Sequence, residues 1–134
     1  MREKLRERFN VLYNVTRIET GETAVGVPDL HMRTYRHDVW IELKVVKQLK
    51  SGQVKIPFRP GQFNWIRRHT EMRGKALLLC YVDKPAGFWI AFKGTGIKRV
   101  YESQGDFLDS ADWYGTWAEV DPELFDSNWS QYLG

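Results

Sequence analysis

Asp29, Glu42 and Lys44 are the residues whose types and spacing could do chemistry together. Glu42 and Lys44 stand one residue apart in Trp40-Ile41-Glu42-Leu43-Lys44. Over 39–46 the alternation of side chains reads as a β-strand. Val39, Ile41, Leu43 and Val45 point one way, and Trp40, Glu42, Lys44 and Val46 the other. The carboxylate and the ammonium group are therefore neighbours on one face. Asp29 opens the preceding strand, just after Gly26-Val27-Pro28. There Leu30, Met32 and Thr34 fall on one face, and Asp29, His31, Arg33 and Tyr35 on the other. A reversal at His37-Asp38 makes the two strands an antiparallel hairpin and brings Asp29 close to Glu42. Two carboxylates and an ammonium group gathered at one sheet position are costly without a ligand, and a divalent metal is the ligand that justifies them. The Glu-x-Lys spacing alone says little, because a chain with 17 acidic residues holds such a triplet by chance. Its context carries the information. His31 shares the face of Asp29 and reads as an outer neighbour rather than a ligand, and His37, in the turn, as a solvated group.

The elements that must position these residues follow in order. Residues 1–10 read as a short helix, with Leu5 and Phe9 four apart and Arg2, Lys4, Arg6 and Arg8 around them, where Glu3 and Glu7 can pair with the bases. Residues 11–19 are β-branched and aromatic and read as the first strand. Pro28 suits a strand start. Residues 47–58 form a basic loop in which Lys47, Lys50 and Lys55 either line a groove beside the Glu42 strand or are simply solvated. Pro60 and Gly74 suit the start and stop of a helix, with Phe63, Ile66 and Thr70 as its apolar stripe, Arg67 and Arg68 outside it, and Gln62 in its first turn facing the sheet. Trp65 reads as core packing before base stacking. Ala76 to Val82 is a continuous apolar run, so a central buried strand, and Phe88 to Phe92 is the next. From Lys93 the pattern fades. Residues 97–101 read as strand or short helix, and Trp113, Trp117 and Trp129 imply that the last segment packs on something.

Gly-x-Pro-Asp at 26–29, then Ile41-Glu42-Leu43-Lys44, then Gln62 in a basic helix, resembles the PD-(D/E)XK nuclease superfamily. The likeness is greatest to its small stand-alone members, the VRR-NUC group, Holliday junction resolvase-like enzymes and similar phage proteins, and it covers roughly residues 15–93. It implies an α/β, restriction-endonuclease-like domain with a mixed central sheet and an α-β-β-β-α-β core, with 94–134 as a Trp-rich acidic extension of the one domain spanning 1–134. It implies an endonuclease that hydrolyses DNA, with branched or flapped DNA as substrate. Mg²⁺, with Mn²⁺ as substitute, would be held by Asp29, Glu42, the Leu43 carbonyl and a third acid. Glu19 is first choice for that acid, in the Arg17-Ile18-Glu19 run, with Glu7 and Glu22 as alternatives. Lys44 and Gln62 would complete the catalytic set. Arg17, Lys47, Lys50, Lys55, Arg67 and Arg68 would grip the backbone without reading sequence. A homodimer is implied by the family alone.

Composition is compatible with this. At 134 residues, 43% hydrophobic and 28% charged, the chain has the make-up of a soluble globular domain. No apolar run approaches the roughly 20 residues that span a bilayer, and the first residues are charged rather than signal-like, so a cytoplasmic protein is expected. The single cysteine, Cys80, allows neither an internal disulfide nor a Cys-rich zinc site and reads as a buried hydrophobe. The net charge of +3 is uneven: residues 1–73 are basic and the remainder acidic, which fits a phosphate-facing side.

Overall fold

Alternation along 39–46 is realised as the longest strand, and the remaining elements are built around it. The computed structural model describes residues 2–18, 26–50, 54–83, 87–103 and 111–123; Glu19, Glu22 and Trp129 lie outside the described residues. In chain order the elements are α1 (Arg2–Asn10), β1 (Asn14–Arg17), β2 (Leu30–Arg33), β3 (Asp38–Val46), α2 (Gln62–Glu71), β4 (Lys75–Val82), β5 (Phe88–Lys93), α3 (Gly94–Ser103) and β6 (Trp113–Gly115). Among the described residues the six strands make one sheet, ordered as they occur in the chain. β3 and β4 are parallel, and every other neighbouring pair is antiparallel. A parallel pair cannot be closed by a tight turn. The chain from 47 to 74, carrying α2, supplies the crossover.

The two faces of the sheet have separate cores. Leu30, Met32, Val39 and Ile41 pack with Leu5 and Phe9 of α1. Val46, Leu78, Cys80 and Phe92 pack with Ile66 of α2 and with Ile97 and Val100 of α3. Register follows the side-chain pattern: Leu30 pairs with Ile41 and Met32 with Val39, apolar against apolar. Glu42 and Lys44 therefore face α2, opposite Leu78 and Cys80 of β4. Among the described residues no helix is long and apolar enough to cross a membrane.

Several boundaries differ from the sequence reading. The first strand is Asn14–Arg17, not 11–19, because α1 runs to Asn10 and the amides of Leu12 and Tyr13 both return to the Phe9 carbonyl. The hairpin turn lies at 34–37 rather than at His37-Asp38. The Thr34 hydroxyl accepts from the Arg36 and His37 amides, and Asp38 already pairs with Arg33. The basic loop after β3 is not merely solvated. Gln48 bridges to Val54, and Val54 and Ile56 are buried in the α2-side core. Burying two such side chains is worth about 3–6 kcal/mol, enough to pin the loop against the sheet. The stretch after Lys93 is a helix, and Trp113–Gly115 adds a sixth strand to β5.

One close approach fixes the site. Gly26 has φ 85°, and a Cβ there would fall 2.3 Å from the Gly61 carbonyl oxygen. Only glycine lets the chain entering β2 touch the start of α2.

Candidate active site

β3 places Glu42 and Lys44 side by side, the hairpin adds Asp29 and the crossover adds Gln62. Asp29 lies one residue before β2, and its Oδ2 accepts a hydrogen bond from the Leu43 amide at 3.1 Å. The aspartate is thus held by the backbone of β3 itself. Pro28 before it is buried and has no amide to satisfy. Glu42 is 1% exposed. Its Oε1 accepts from Gln62 Nε2 at 3.1 Å, while its Oε2 is buried without a hydrogen-bond partner among the described residues.

Gln62 is the organising side chain. It too is 1% exposed, in the first turn of α2. Its Oε1 accepts from Lys44 Nζ at 2.7 Å and from the Arg59 amide at 2.7 Å, so its Nε2 must be the donor to Glu42. One amide therefore ties the acid, the base and the entry to the helix together. Lys44 also lies 5.8 Å from the centre of the Phe58 ring.

Electrostatics mark the same spot. Burial, then the Asp29 carboxyl beside it, push the Glu42 carboxyl up to about 8, against the pull of Lys44 and Arg59. Burial holds Lys44 below the usual lysine range, opposed by the Glu42 carboxylate. Burial also raises the Cys80 thiol, opposite Lys44 on β4, which keeps it an inert protonated thiol.

A divalent cation fits this arrangement. Two carboxyl groups stand together, and that of Glu42 has a buried oxygen without a hydrogen-bond partner among the described residues, in a setting that penalises its charge. Oxygen donors suit Mg²⁺ or Mn²⁺, which keep several waters. Among the described residues no group of three His, Cys, Asp or Glu is close enough to hold a metal by side chains alone. Glu7 is exposed on α1, which packs on the far face of the sheet. Leu43 turns its side chain toward the α1-side core and its amide toward Asp29.

The expected backbone-gripping residues divide. Lys47, Lys50 and Lys55 are exposed on the segment that follows β3. Arg67 pairs with Glu71 at 2.9 Å on α2, and Arg68 is exposed beside it. Arg17 is set apart. Its register partner Leu30 faces the α1-side core, so Arg17 projects toward α1, where Glu3 lies 3.9 Å away. The two-residue period of β1 is the reason. His31 contacts Asp38 at 3.1 Å, as an outer neighbour of the site.

Sequence reasoning missed Arg59. Its amide anchors Gln62, and its charge acts on both Glu42 and Lys44. Its position three residues before Gln62, at the mouth of a Pro-Gly helix start, was the available signal.

No family model and no curated protein matches the sequence. Among solved structures the chain is similar to Hjc, a Holliday junction resolvase from the archaeal hyperthermophile Archaeoglobus fulgidus, with a TM-score of 0.51 and 18% identity over 71% of this chain and 74% of that one. The likeness is one of fold: the chain has the mixed, restriction-endonuclease-like α/β architecture.

Proposed function

We propose that this protein is a metal-dependent nuclease that hydrolyses DNA phosphodiester bonds, with branched or flapped DNA as substrate. The observation that carries the reading is the buried Glu42, whose Oε2 has no hydrogen-bond partner among the described residues, beside Asp29 and joined through Gln62 to Lys44. A fold shared with a protein described as a Holliday junction resolvase supports the choice of reaction class and substrate.

Hydrolysis adds a water oxygen to phosphorus and breaks one ester P–O bond, which requires an activated water and neutralised phosphoryl oxygens. Mg²⁺ or Mn²⁺ held by Asp29, Glu42, the Leu43 carbonyl and Glu19 would supply Lewis acidity and lower the pKa of water. Lys44 supplies a fixed positive charge where negative charge grows on the phosphoryl group. Gln62 holds that ammonium group in place at no cost of reorganisation during the reaction. Arg59, with its exposed side chain at the same helix start, presents a guanidinium to the incoming phosphate. Lys47, Lys50, Lys55, Arg67 and Arg68 hold the backbone on either side, which gives affinity without sequence preference. A homodimer suits a four-way junction, where two strands are cut symmetrically.

The test is cleavage of plasmid, single-stranded DNA and a four-way junction in Mg²⁺, in EDTA, and with the Lys44→Ala chain. Metal-dependent cutting that falls about a hundredfold or more in the variant, with DNA binding retained, is the expected result. DNA bound but never cut would overturn the enzyme and leave a DNA-binding module.

A further inference from the structure

The flank of α2 that meets Trp40 of β3 carries a second feature, which the proposed chemistry leaves unused. Trp65 and His69, one helical turn apart, stack with ring centres 4.9 Å apart and planes at 23°. Trp40, two residues before Glu42 on the same face of β3, meets Trp65 edge-on at 5.3 Å. His31 tilts against Trp40 at 4.7 Å. Aromatic rings thus run from the hairpin that holds Asp29 across to the helix that holds Gln62. The helix end of this run, Trp65 and His69, borders an open cleft of about 500 Å³, lined also by Gly61, Asn64, Arg68 and Met72.

This lining combines chemistries that core packing alone does not call for. A planar, uncharged stack forms one wall, since burial holds His69 below the usual histidine range. Met72 is left 76% exposed at the rim. An exposed carboxamide, Asn64, and an exposed guanidinium, Arg68, flank the mouth. The volume lies within the range of about 300–1,000 Å³ typical of small-ligand sites. The location is also specific. At about 1.5 Å of rise per residue, Trp65 stands about 4.5 Å along α2 from Gln62, less than one helical turn from the proposed site.

We propose that this cleft takes one unpaired nucleobase of the strand bound at the site, next to the scissile phosphate. Trp65 is the stacking platform, Asn64 addresses the base edge, and Arg68 holds the adjoining phosphate. A paired base is covered by its neighbours in the duplex and cannot enter, whereas a base in a flap, a single strand or an opened junction can. The inference rests on the nuclease reading for its substrate and explains how a small domain, with no element for reading a groove among the described residues, would favour branched DNA.

The experiment is 2-aminopurine fluorescence on flapped oligonucleotides, with the probe moved one position at a time and binding measured in EDTA so that nothing is cut. A severalfold drop in emission is expected at one unpaired position and at no paired one. Trp65→Ala should abolish it and reduce the preference for flapped over blunt duplex DNA about tenfold, with Trp65→Phe restoring part of both. Because Trp65 also packs against the α2-side core, Asn64→Leu provides a second variant. It removes the carboxamide that addresses the base edge, at an exposed helix position and unchanged charge, and a loss in the same direction is expected. Quenching that survives both variants, an unchanged flap preference, or no quenching and no binding at all overturns the cleft. Cleavage in Mg²⁺ without quenching removes the cleft alone. Quenching without cleavage in Mg²⁺ keeps the cleft and removes the nuclease.

Discussion

Replacing Glu42 with glutamine should stabilise the metal-free protein, and more so the higher the pH. In the folded chain this carboxyl titrates near 8, against an ordinary value of 4.5. Folding therefore takes up a proton at any pH between the two. The contribution is fully present below the unfolded value, falls by about 1.4 kcal/mol per pH unit between the two values, and is lost once pH has risen through the folded one. At pH 7 the accumulated loss is about 3 kcal/mol. Glutamine keeps the acceptor for Gln62 Nε2 but carries no charge. The pull of Lys44 is already contained in the raised value, so the gain stays at about 3 kcal/mol. For a chain of this size that is roughly 10 °C in Tm. The assay is thermal unfolding of both chains from pH 5 to 8.5 in EDTA, then in Mg²⁺. The two curves should nearly meet at pH 5 and separate above it. Mg²⁺ should then raise the Tm of the wild-type chain and leave the variant where it was. Parallel curves across the whole range would refute the buried, uncompensated carboxylate, and an equal Mg²⁺ response would refute its role as a ligand.

Gln62→Leu should leave the Glu42 carboxylate, the Arg59 amide and the Lys44 ammonium each short of a partner. We expect a loss of about 2–4 kcal/mol in urea unfolding together with loss of cleavage, and a variant as stable as wild type would remove Gln62 from the centre of the site. Gly26→Ala forces a side chain into left-handed backbone and against the Gly61 carbonyl. A cost of about 1–3 kcal/mol and a drop in cleavage are expected from melting and turnover measurements, since the entry to β2 must move away from α2.

Much of the arrangement was legible in the sequence because it rests on short periods. Alternation over 39–46 put Glu42 and Lys44 on one face, and the structure has them there, facing α2. Pro60 and Gly74 bracketed α2, which runs Gln62–Glu71. What escaped depends on tertiary context. Val54 and Ile56 belong to no periodic run, so nothing local says that they are buried. Arg17 ends a strand too short for its period to be read, and its face was settled by pairing with Leu30. β6 has three residues, below the length at which alternation carries information, and owes its place to β5. Gln62 was placed in the first turn by helix spacing, but its three simultaneous hydrogen bonds could not be anticipated from spacing alone.

The parallel pairing of β3 with β4 also bears on how the site comes into being. Asp29 and the Leu43 amide meet across 14 residues of hairpin, which is local and quick to close. β1 and α1 can steady that hairpin, but on its other side β3 is held by β4, whose alignment waits for the crossover that carries Gln62. Asp29 and Glu42 can therefore meet before the amide that bridges to Lys44 arrives. The proposed centre is complete only when that crossover closes, so its last component depends on the slowest, longest-range pairing of the sheet.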